Sequence, residues 1–104
     1  MGEAVGIVEL YGLVAAFAAA DAGCKAANVV LENFDKNKPA NAEALAVPNL
    51  ITVKFRGSIA DVEAAMEAGI AMAKQVAGVV QHHIIANPTD DACKMLKLNA
   101  FDKK

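Results

Sequence analysis

The sequence predicts an α+β fold of the ferredoxin-like, split βαβ kind: a four-stranded antiparallel sheet with two main helices and a short C-terminal helix. Three observations predict it. Extended and helical segments follow the order strand, helix, strand, strand, helix, strand. The 104 residues suffice for one domain and one core. The stretch "RGSIADVEAAMEAGIAMAKQVAG" carries both the start and the stop signals of a long helix.

The first strand is Glu3 to Leu10, rich in Val and Ile and ended by Gly12. A helix follows from Leu13, with Leu13, Ala16, Phe17, Ala20, Cys24 and Ala27 at helical spacing. Its other face, Val14, Ala15, Ala18, Ala19 and Ala22, is almost as apolar, so the helix is expected to be covered on two sides. Asn28 to Phe34 is the second strand. Leu50 to Phe55 is the third, with Ile51, Val53 and Phe55 on one side and Thr52, Lys54 and Arg56 on the other. The second helix has Ser58 as N-cap with Asp61 at capping-box spacing, and Gly78 where a C′ residue belongs. Its expected inward stripe is Val62, Ala65, Met66, Gly69, Ile70, Ala73 and Val76. Val79 to Ile85 is the fourth strand, closed by Pro88. Thr89 then caps the short helix, whose first turn carries Asp90 and Asp91, the sign that the helix dipole favours.

Composition points to association. Hydrophobic residues make up 56% of the chain and aromatics only 5%, so the apolar surface is mostly alanine, as in "AAFAAADAGCKAAN". A domain this small leaves much of its chain at the surface, and copies that bury apolar faces against one another would cover the excess. Asp21, Lys25 and Glu32 interrupt the longest apolar run well short of the roughly 18 residues of a membrane span. The beginning "MGEAVGIVEL" lacks the basic region of a signal peptide, and Gly6 stands where a myristoylation signal needs Ser or Thr, so a cytoplasmic protein is expected. The net charge of -2 argues against bulk attraction to nucleic acid or to anionic membrane.

Candidate chemistry is sparse. His82 and His83 are adjacent in a strand, so their side chains point to opposite faces and do not grip one metal. Cys24 and Cys93 lie far apart without a C-x-x-C and are expected to be free thiols acting as small buried hydrophobes. Asp90 and Asp91 are explained by their helical first turn, and Glu9 has no Ser, His or Cys partner that the sequence can place beside it. Lys54 and Arg56 project from one strand face, as on an RNA-binding sheet, but the aromatics that stack bases are missing. No phosphate-binding glycine loop and no H-E-x-x-H motif occurs. Neither an enzyme nor a cofactor or metal site is expected.

"EAVGIVELYGLVAAFAAADAGCKAANVVL" resembles the opening of bacterial microcompartment shell proteins of the single BMC-domain kind, with the pattern E-A-x-G-x-V-E-x-x-G-x-x-A-A followed by A-x-D-A-x-x-K-x-A-N-V. "LITVKFRGSIADVEAAMEAGIAMA" resembles the second half, where a strand ending in R-G leads into V-x-A-A-x-x-A-G. The resemblance covers nearly the whole chain apart from residues 37–49 and the C-terminal tail. It implies a structural role without bond chemistry: flat hexamers that tile into the facets of a protein shell around metabolic enzymes, with a central pore for metabolites. The partners it implies are further copies of this chain, other shell proteins and the encapsulated enzymes.

The resemblance also implies site residues. It places Lys25, with Asn28 in the same motif, at the edge where hexamers meet. Asn87, in "ANPT", stands where relatives often carry an Arg within P-R-P-H, so a bidentate donor is lost there. It places the loop between the second and third strands at the pore, usually as a short Gly-rich turn after a Lys like Lys36. Here that turn is replaced by "NKPANAEALAVPN", residues 37–49, so Lys36, Asn37, Lys38, Pro39 and Glu43 are the expected pore residues of one domain spanning the chain. Pro39 and Pro48 bracket "ANAEALA", which has the composition of a short helical turn. The competing reading is a ferredoxin-like regulatory oligomer that binds a small metabolite at subunit interfaces. Extended sheets or tubes at high concentration distinguish a shell protein from such a closed oligomer.

Overall fold

The computed structural model describes residues 3–37, 50–99 and 101. Its elements run β1 (Ala4–Tyr11), α1 (Leu13–Ala26), β2 (Val30–Asn37), β3 (Leu50–Gly57), α2 (Ile59–Val76), β4 (Val79–Ile85) and α3 (Asp90–Leu96). The strands form one sheet in the order β2-β3-β1-β4, and every pairing is antiparallel. This is the expected split βαβ arrangement. β2 starts later than expected because Asn28 and Val29 do not join the ladder. The Asn28 amide instead donates to Asp61 Oδ1 at 3.3 Å, tying the end of α1 to the start of α2.

The core lies between the sheet and the α1–α2 pair. Val8, Leu10, Val53 and Phe55 on the sheet and Val62, Ala65, Met66 and Ala73 on α2 are buried. Full burial of a side chain such as Phe55 contributes about 1.5–3 kcal/mol. Small residues let the layers close up. A Cβ on Gly23 would stand 2.5 Å from Phe55 Cζ, and one on Gly69 would stand 3.0 Å from the Ala19 carbonyl oxygen. The α2 and α3 starts use the predicted caps: Ser58 accepts from the Asp61 amide and Thr89 from the Ala92 amide, each at 3.1 Å. Gly78 ends α2 at a φ of 134°, a conformation that side chains other than glycine rarely adopt.

Three further expectations are corrected. The buried stripe of α1 is Ala15, Ala16, Ala19, Ala20 and Gly23, while Leu13, Phe17 and Cys24 are exposed. An almost wholly apolar helix offers no polarity contrast to set its phase, so size decides, and only alanine and glycine fit against α2 and Phe55. The second covered side of α1 is therefore absent within one subunit. Val76 likewise leaves the α2 stripe and is 45% exposed. Cys24 is exposed rather than buried, and Cys93 is half-buried.

The other sheet face is covered as well. α3 packs there, over Lys54 and Arg56, so this face is no open basic surface. Lys54 is buried, and its ammonium donates to the Leu96 and Leu98 carbonyls at 3.0 and 2.9 Å. Arg56 Nη1 pairs with Glu32 at 3.3 Å while Nη2 contacts Cys93 Sγ at 3.7 Å.

Candidate functional site

Lys25 occupies the last turn of α1, where a cation complements the helix dipole. It is exposed and pairs with Asp21 one turn earlier at 2.8 Å. The hydrogen bond that the Lys25 ammonium donates to Asp21, then the Asp21 charge, raise the Lys25 pKa above the ordinary lysine value. Such an exposed pair adds little to folding, so both charges stand ready at the surface. Partial desolvation of its otherwise exposed side chain, and then the same Asp21 charge, push the neighbouring Cys24 thiol up as well, which keeps it protonated and a poor nucleophile at neutral pH. Asn28 is exposed on the same α1–β2 connection. Asn87 is exposed on the separate connection between β4 and α3.

Lys36 is exposed near the end of β2. Its amide donates to Asp35 Oδ1 at 2.8 Å, and its ammonium lies 5.2 Å from the centre of the Phe101 ring. Asn37, the last β2 residue, pairs directly with Leu50, the first of β3. The two ends of the intervening segment are thus held side by side. Lys38, Pro39 and Glu43, and the helical turn expected within 40–46, lie outside the described residues.

Sequence reasoning missed an apolar cavity of about 660 Å³ on the open side of α1, lined by Leu13, Phe17 and Ala20 from the helix, Leu31 and Phe34 from β2, and Phe101. Phe17 and Phe34 meet edge to face at 5.0 Å. The exposed size of Leu13 and Phe17 was the available signal, had α1 been phased by bulk. The polar side chains on the cavity wall are Asp21, Asn33 and Asn99, with the Cys24 thiol.

The remaining polar candidates are dispersed. Glu9 Oε1 accepts from Gln81 Nε2 at 2.9 Å in a groove beside His82 and His83, and Asp91 lies 3.8 Å from Lys94 on α3. Among the described residues no group of three His, Cys, Asp or Glu side chains could hold a metal ion, and no helix is long and apolar enough to cross a membrane.

The described surface combines an open apolar cavity beside α1 with exposed lysines at the end of α1 and near the end of β2. The family description that matches, BMC domain, covers residues 4–88. The chain belongs to that family, the bacterial microcompartment shell proteins. It is 42% identical over 94 residues to the bacterial microcompartment shell protein PduA of Citrobacter freundii, covering 90% of this chain and 91% of that one. It is 41% identical over an alignment of 105 residues to the carboxysome shell protein CcmK3 of Halothece sp., covering 99% and 94%. Among solved structures, a microcompartments protein from Desulfitobacterium hafniense superposes with a TM-score of 0.72 at 25% identity. That match covers 96% of this chain but 49% of the other, so the chain spans about half its length. The role of this protein is structural, in a microcompartment shell, and its relatives are shell components rather than enzymes.

Proposed function

We propose that the chain forms a homohexamer that tiles with other hexamers and other shell proteins into a microcompartment facet, in the bacterial cytoplasm, around encapsulated enzymes. It acts as a single BMC domain whose residues 37–49 form an extended insertion at the central pore. Lys25, Asn28 and Asn87 stand at the hexamer edge. Lys36 and Asn37, with Lys38, Pro39 and Glu43 of the insertion, line the pore.

The observation that carries this reading is the apolar cavity on the outer side of α1. Phe17 is 61% exposed and Val14 75% in the isolated subunit, although both belong to a helix whose opposite side is buried. Copies of this chain that bury this side remove that surface from water at about 25 cal/mol per Å². The insertion reading is supported by the paired ends Asn37 and Leu50, which lie side by side in the sheet, as the two ends of a loop between neighbouring strands do.

Native mass spectrometry at micromolar concentration tests the assembly. A hexamer with little monomer is the expected species, and Phe17→Asp should yield a folded chain that no longer assembles, because it sets a charge in the apolar cavity. A stable monomer of the unaltered chain overturns the reading.

A further inference from the structure

We propose that Phe101 is a positioning residue for Lys36: the C-terminal segment delivers its ring to the Lys36 ammonium and so sets how that charge is presented. The consequence for the pore rests on the proposed placement of Lys36 there, whereas the contact itself does not.

The two residues meet because the chain passes from one sheet face to the other. The Leu96 and Leu98 carbonyls are fastened by Lys54 on the α3 face, and Asn33 Nδ2 donates to the Leu96 and Lys97 carbonyls at 3.1 Å each. Phe101, by contrast, lines the cavity with Phe17 and Phe34 on the α1 face. β2 is the edge strand of the sheet, so Asn99 and Phe101 lie where the chain rounds that edge.

Strand alternation puts Lys36 on the same side. Its partner on β3 is Ile51, which is buried against the helices, and cross-strand partners share a face. Asp35, the adjacent acid, turns the other way, with Oδ2 at 3.7 Å from Lys54. The aromatic face is what meets the Lys36 ammonium, at 5.2 Å from the ring centre and within the range of a cation–π contact. In the isolated subunit the ring is anchored by the cavity on one side and 45% exposed overall, and Lys36 itself stays exposed beside it.

The test uses the assembled protein and maps trace acetylation of each lysine by mass spectrometry, with Lys25 as internal reference. Phe101→Leu keeps an apolar side chain in the cavity but removes the π face. Labelling of Lys36 relative to Lys25 should rise about two- to fivefold, the population change that an exposed contact of this kind supports. Phe101→Tyr, which retains the ring, should restore the original ratio. Equal Lys36 labelling in the unaltered protein and Phe101→Leu overturns the proposal. The pore placement is read separately from the anion-to-cation permeability of reconstituted hexamers. Lys36→Gln should lower that ratio and Phe101→Leu should shift it, and an unchanged ratio in Lys36→Gln refutes the placement and, with it, any tuning of the pore by Phe101.

Discussion

The Lys54 ammonium donates to the Leu96 carbonyl at 3.0 Å from a side chain that is only 6% exposed. A buried lysine is tolerable only when its charge is met and its donors are used. Here the Leu96 and Leu98 carbonyls take two donors, and the Asp35 carboxylate at 3.7 Å faces the charge. The same bonds satisfy carbonyls left over at the end of α3, so one side chain solves two problems.

Lys54→Met should therefore loosen α3 and the chain beyond it while leaving the sheet intact. A hydrogen bond to a charged group contributes about 1.5–3 kcal/mol, so the loss should be about 2–3 kcal/mol in chemical denaturation at fixed protein concentration. Hydrogen exchange should quicken in residues 90–98 before the β1 and β3 amides. A loss under about 0.5 kcal/mol would mean that the carbonyls find water at no cost.

Gly23→Ala should destabilise the subunit by about 1–3 kcal/mol, the usual range for overpacking a well-filled core. Its Cβ would sit 2.5 Å from Phe55 Cζ and 3.0 Å from the Ala65 carbonyl oxygen, and the backbone oxygen has little room to yield. Combining it with Phe55→Leu should give less than the sum of the two losses, because the smaller side chain removes one of the two clashes. Additive losses in that double-mutant cycle would show that the Phe55 contact does not set the helix–sheet distance.

Lys25→Asp is expected to preserve hexamers but abolish extended sheets under electron microscopy. The residue is exposed at the end of α1 and takes no part in the core, and the reversed charge would stand beside Asp21. The pH dependence has a definite sign. A lysine pKa raised by a carboxylate partner leaves the Lys25 contribution complete below the ordinary lysine pKa of about 10.4, and it is lost only as pH rises through the higher value. Tiling should thus hold between about pH 7 and 9 and weaken with added salt, which screens exposed charges beyond about 8–10 Å. Sheets formed equally well by Lys25→Asp would remove Lys25 from the edge.

The element order, the Ser58 and Thr89 caps and the Gly78 stop were legible in the sequence because each depends on neighbours within a few positions. The family patterns supplied the shell assignment, which no periodicity could. The phase of α1 was not legible, since alanine on every side leaves the 3.6-residue period without contrast, and the choice falls to size at the Phe55 crossing. The burial of Lys54 was also hidden. Its partners are backbone carbonyls more than forty residues away, and carbonyls leave no mark in a sequence. Phe101 escaped notice for the same reason, because its meeting with Lys36 depends on the chain rounding the β2 edge. The proposed edge placement of Lys25 and Asn28 rests on a motif rather than on physics, and Lys38, Pro39 and Glu43 fall outside the described residues.

Replacing residues 37–49 with a short turn containing glycine should leave the hexamer and its tiling intact while changing permeability. The sheet does not need the segment. β3 pairs with β1 from Ala4↔Gly57 to Tyr11↔Leu50, and the β2 partners from Val30 onward hold independently of what joins the two strands. A two- to five-residue hairpin loop suffices to connect antiparallel neighbours whose ends already pair. Under the proposed pore placement, hexamer symmetry magnifies the change, since each copy loses Lys38 and Glu43 while retaining Lys36. If the insertion narrows or plugs the pore, shortened shells should pass small metabolites faster, and anions should gain most because the Lys36 charges remain. Flux through reconstituted shells and an open axial channel in the hexamer structure check it. Unchanged flux would mean that the insertion decorates the pore without controlling it, and loss of the hexamer would mean that residues 37–49 hold subunits together rather than line a passage.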